Sequence, residues 1–162
     1  MTTETLTKPM TGTDIADAAQ GAMRDPAFVD TPGQCQHFAR EVAEAVGGEV
    51  ARVMDTYRAG TARETLHNFL GTGYDIWAHG DGPIPALQEG DFLYKSERTS
   101  GPAGHVGIAA NGRREGLPAT TIIVYENSSY HENPVHEGNK DGAKGFRTLA
   151  QFGPFDLLVR LG

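Results

Sequence analysis

The chain has 162 residues, 38% hydrophobic and 22% charged, a composition that fits one globular domain with a core of its own. Its formal net charge of −7 argues against nucleic acid and anionic membranes as partners, and no apolar run approaches the roughly 20 residues that cross a bilayer. The single cysteine, Cys35, cannot form an internal disulfide, so the fold does not depend on an oxidising compartment.

Residues 1–12 read as a polar tail without the apolar core or cleavage pattern of a signal peptide, so synthesis in the cytoplasm is expected. Residues 13–162 read as one domain. A short helix is expected over residues 14–24, with Ile15, Ala18, Ala19 and Ala22 on its apolar face. The next helix starts beside Cys35. Thr31 is the expected N-cap, Pro32 suits the first helical position, and Gln34 completes a capping box. Residues 36–46 are good helix formers, ended by Gly47-Gly48. A third helix is expected over residues 63–70, stopped by Gly71, and residues 80–85 form a turn-rich link.

Beyond the link the texture changes to strands. Residues 91–94 are the first, and residues 105–110 the second, ended by the hairpin signal Asn111-Gly112. Residues 120–125 are rich in β-branched side chains, and residues 146–152 and 157–161 complete the set. No internal repeat is present. Helices first and strands after imply an α+β fold, with N-terminal helices packed on a C-terminal antiparallel sheet.

A thiol in the first turn of a helix meets unpaired backbone N–H groups and the positive end of the helix dipole. Both favour the nucleophilic thiolate. The competing reading is structural. Cys35 shares a helical stripe with Phe38, Ala39, Val42 and Val46, where a lone cysteine is ordinarily a small core hydrophobe. A catalytic thiol needs a histidine to take its proton, a group to orient that histidine, and N–H donors for the oxyanion. His105 enters its strand from the glycine-rich approach Ser100-Gly101-Pro102-Ala103-Gly104, and Glu126 and Asn127 close the third strand. Neighbours in a strand point to opposite faces, so only one of the two can meet His105. Glu126 is preferred, because a carboxylate also stabilises an imidazolium; Asn127 is the alternative orienter. The Cys35 backbone N–H and the Gln34 side chain are the candidate oxyanion donors.

Other polar groups carry less. His131, Glu132, His136 and Glu137 read as a solvated loop rather than a metal site. Asn139-Lys140-Asp141-Gly142 is too short for a calcium loop, and Cys35 and His37 diverge on their helix. Trp77 and Tyr74 read as core aromatics, with a substrate groove as the alternative. No metal or cofactor is expected.

The order helix-cysteine, strand-histidine, strand-acid or amide is that of a papain-like core. Gly33-Gln34-Cys35, Gly90-Asp91-Phe92, Gly104-His105-Val106-Gly107-Ile108 and Tyr125-Glu126-Asn127 resemble the CHAP family of cysteine, histidine-dependent amidohydrolases/peptidases. The resemblance covers about residues 13–162. It implies a peptidoglycan hydrolase, amidase or endopeptidase, with Cys35 as nucleophile, His105 as general base and Glu126 as orienter. One departure is plain: the family often places its amide two residues after the acid, whereas Asn127 follows Glu126 directly. The expected partner is a peptidoglycan stem peptide, met by a monomer that reaches the wall after phage lysis or specialised secretion. A phage lysin, a tail-associated hydrolase and a secreted effector all fit. The alternatives are a papain-like protease or acyltransferase on other substrates, and a non-catalytic module of the same fold.

Overall fold

A computed structural model describes residues 12–31, 34–127 and 144–162. The helices among them are α1 (Gly12–Ala22), α2 (Cys35–Val46), α3 (Gly48–Tyr57), α4 (Ala62–Phe69) and the single turn α5 (Leu149–Phe152). The strands are β1 (Asp75–Ala78), β2 (Phe92–Lys95), β3 (His105–Asn111), β4 (Ile122–Asn127), β5 (Lys144–Thr148) and β6 (Leu157–Val159). They form one antiparallel sheet in the order β1-β6-β2-β3-β4-β5. The architecture is α+β, as the order of helical and strand patterns implies.

The sheet is buried on both faces. The main core sets Phe38, Ala39, Val42, Met54 and Phe69 of the helices against Phe92, Tyr94, Val106, Ile108, Ile123 and Tyr125 of the strands. Alternation sends Leu93, Ala109, Val124 and Leu158 to the other face, where Trp77, Phe152 and Phe155 close a second, smaller core. Each such aromatic contributes roughly 1.5–3 kcal/mol by leaving water, so α2 and β3 are fixed firmly where the site is built.

Several elements differ from the sequence expectation. Helix α2 starts at Cys35 with Gln34 as its N-cap, not Thr31, and Gln34 makes no side-chain cap bond. The reason lies in β4: Asn127 takes the Gln34 N–H and the Thr31 carbonyl, which ties that stretch to the strand end instead of the helix. Helix α3 was not anticipated. It follows from Gly47, whose φ of 77° both ends α2 and turns the chain into a new helix. Strand β1 lies before the glycine-rich link, not after it. Asn111-Gly112 opens a 3₁₀ turn (Gly112–Glu115) rather than a two-residue hairpin, because the Asn111 side chain accepts from Arg113 N–H. The segment expected as a strand over residues 146–152 breaks at Thr148, which forms a full capping box with Gln151 and starts α5.

The N-terminal tail, the cluster of His131, Glu132, His136 and Glu137, and the Asn139-Lys140-Asp141-Gly142 segment lie outside the described residues apart from position 12.

Candidate active site

Cys35 is the first residue of α2 and is partly exposed. Its helix is anchored by the buried Phe38, Ala39, Val42 and Ala43. Behind it, the buried Tyr94 hydroxyl donates to Gln36 Oε1 at 3.1 Å, and Gln36 Nε2 lies 3.7 Å from the Met54 sulfur. Burial, and secondarily the charge of Cys35 when ionised, pushes the Tyr94 pKa up, so the hydroxyl stays a neutral donor.

His105 is the first residue of β3 and is only 4% exposed. Gly104 delivers it with φ +70°, where a Cβ would stand 2.5 Å from the Lys95 carbonyl oxygen and 2.8 Å from Arg63 N. Arg63 N–H donates to the Ala103 carbonyl at 2.9 Å, so the start of α4 pins this approach. Two residues on, a Cβ at Gly107 would meet Val124 Cγ1 at 2.2 Å and Phe152 Cε1 at 2.9 Å. The bare glycine lets the Phe152 ring lie under the strand, where its centre is 5.7 Å from that of His105.

The ladder brings the acid to the base. Ala109 pairs with Val124, so continuing that register sets Glu126 opposite Gly107 and diagonal to His105 on one face. His105 Nε2 and Glu126 Oε1 are 2.6 Å apart, and Glu126 is fully buried. The Cys35 side chain lies close enough to His105 to act on the imidazole through hydrogen bonding and charge. Burial by itself would lower the imidazole pKa. The hydrogen bonds to Cys35 and Glu126, with the charges of both, outweigh it and hold His105 up at about 9. Cysteine, histidine and carboxylate, drawn from α2, β3 and β4, therefore converge on one site, with the carboxylate hydrogen-bonded to the imidazole.

Asn127 faces the other way. Its Oδ1 accepts from Gln34 N–H at 3.1 Å, and its Nδ2 donates to the carbonyls of Val29 at 3.2 Å and Thr31 at 3.1 Å. The alternative orienter is thus not at His105; it ties down the loop that leads to Cys35. Of the oxyanion candidates, the Gln34 side chain is exposed beside Cys35, and the Gln34 backbone N–H is taken by Asn127. The Cys35 N–H lies in the first turn, where the helix offers no acceptor. Trp77 fills the second core against Phe155 and donates from Nε1 to the Gly82 carbonyl at 3.0 Å, and the partly buried Tyr74 packs on the main core. Among the described residues no group of three His, Cys, Asp or Glu side chains is placed to hold a metal ion.

Sequence reading did not single out Arg147. From β5 it grips both oxygens of Glu126, Nη2 meeting Oε1 at 2.8 Å and Nε meeting Oε2. The available signal was a lone arginine in a short strand with Phe146 beside it, a buried charge that needs a carboxylate partner.

Set beside known proteins, the chain matches no family model, no curated protein and no solved structure.

Proposed function

We propose that this protein is a papain-like cysteine hydrolase that cleaves amide bonds of peptidoglycan, as amidase or endopeptidase. The observation that carries the chemistry is the convergence of Cys35 with the hydrogen-bonded pair of His105 and Glu126. The wall substrate rests on the resemblance of the four motifs to the CHAP family.

In this reading Glu126 fixes the proton on His105 Nε2 and leaves the opposite nitrogen facing the sulfur. With its pKa held at about 9, His105 keeps the Cys35 proton at neutral pH, and the resulting thiolate attacks the amide carbonyl. The Cys35 N–H, at the positive end of α2, stabilises the oxyanion. The imidazolium, held by Glu126, gives its proton to the leaving amine, and a thioester remains on Cys35. His105 then draws a proton from water, which attacks the thioester and releases the carboxylic acid and the free thiol. No cofactor enters any step.

Digestion of purified peptidoglycan, read by mass spectrometry, tests the proposal. The wild type should release fragments with new amine and carboxyl ends, whose positions separate amidase from endopeptidase. Cys35→Ala should release none. Intact wall with the wild type, or equal fragments with Cys35→Ala, contradicts it. A protease or acyltransferase would instead form its thioester with non-wall peptides.

A further inference from the structure

Arg147 takes part in no step above, yet it meets Glu126 more fully than His105 does. Glu126 is fully withdrawn from water, and an isolated buried carboxylate takes up a proton rather than stay charged. A neutral Glu126 would no longer balance an imidazolium. Arg147 answers this with a planar fork on both oxygens, a geometry a lysine cannot reproduce. The guanidinium is itself held. Its carbon lies 5.5 Å from the centre of the Phe152 ring, and its Nη1 is 3.4 Å from the Gln151 carbonyl. Arg147 pairs with Val124 across the β4–β5 ladder, which makes it a diagonal neighbour of Glu126, as His105 is from the other side.

The remaining charges around His105 set the balance. Cys35 approaches from α2, Glu126 from β4 and Arg147 from β5 beyond it. Lys95 of β2 stands directly opposite His105 in the ladder, with its Nζ turned to the Phe152 carbonyl and 4.2 Å from the Phe152 ring centre.

We propose that Arg147 is a positioning residue of this site: its guanidinium fork keeps Glu126 ionised and fixes Oε1 on His105 Nε2. The inference rests on the catalytic reading of Cys35, His105 and Glu126, but its test needs no substrate. The side-chain carboxyl signal of Glu126 is followed by NMR in protein labelled with [13C]glutamate and assigned by its loss in Glu126→Gln. Alkylation of Cys35 by iodoacetamide is measured at each pH. In the wild type the Glu126 signal should stay flat from about pH 5 to about pH 7.5, below the His105 transition at about 9, whereas in Arg147→Met it should titrate within that range, and alkylation should fall about tenfold per pH unit below the transition. On any substrate that is cleaved, kcat should follow the same curve with KM little changed. Arg147→Lys, which serves if the methionine chain does not fold, should shift in the same direction by less. A Glu126 signal that stays flat in both variants, or a loss of alkylation equal at every pH, would overturn the proposal. A wild type that leaves peptidoglycan intact would count against the proposed substrate without touching these two readouts.

Discussion

Replacing Asn127 by alanine removes three hydrogen bonds at once, to Gln34 N–H and to the Val29 and Thr31 carbonyls. At about 1 kcal/mol net for each, the loss is about 2–3 kcal/mol, the lower figure allowing for water reaching the exposed Thr31 and Gln34. With an m-value of about 2 kcal/mol/M in urea, the unfolding midpoint should fall by about 1–1.5 M at unchanged m. Cys35 should also lose reactivity, because the loop before it is no longer tied to β4. Asn127 lies on the opposite face of the sheet and reaches His105 only through Cys35, so the His105 pKa should fall only by the part that Cys35 supplies. Asn127→Asp sharpens the test. It keeps an acceptor for Gln34 N–H but sets a carboxylate against two carbonyl oxygens, so it should cost at least as much at neutral pH and recover in acid. Urea unfolding paired with iodoacetamide kinetics checks all of this. A midpoint loss worth less than about 0.5 kcal/mol, the level of an ordinary surface change, would refute the tether.

Glu126→Gln should cost about 3–5 kcal/mol, because it strands Arg147 as a buried charge, and NMR should show the His105 pKa dropping from about 9. Stability should also carry the mark of His105. Its proton is held more tightly in the folded state, so this support is full below about pH 6.5 and is lost as pH rises through about 9. Urea midpoints of wild type and His105→Gln should therefore draw together on the alkaline side. Gly107→Ala should cost about 1–3 kcal/mol by overpacking, since its methyl collides with Val124 and Phe152, and should slow Cys35 alkylation by moving the ring beneath His105.

Much of the fold was legible in local pattern. Helix α2 and its end at Gly47 follow from helix formers and glycine, and β4 from its β-branched run. What was hidden depends on contacts distant in sequence. The start of α2 is set by Asn127, more than ninety residues away. Glu126 and Asn127 could not be told apart by parity, because helices cover one face of the sheet and Phe152, Phe155 and Trp77 cover the other. The β3–β4 register decides between them, and a two-residue hairpin would have revealed it. The connection instead runs through a 3₁₀ turn, so the pairing of Ala109 with Val124 is not written in the loop. Arg147 stayed unseen for the same reason: its partner is named only by the β4–β5 ladder.

The rate of Cys35 alkylation by iodoacetamide at about pH 6, measured by intact mass in wild type and His105→Ala, tests the central claim most directly. A free thiol with a pKa of about 8.5 is less than about 1% ionised there. The wild type should react much faster than such a thiol, and His105→Ala should fall to its level or below. A wild type no faster than the free thiol, or unaffected by loss of His105, would contradict an activated cysteine nucleophile.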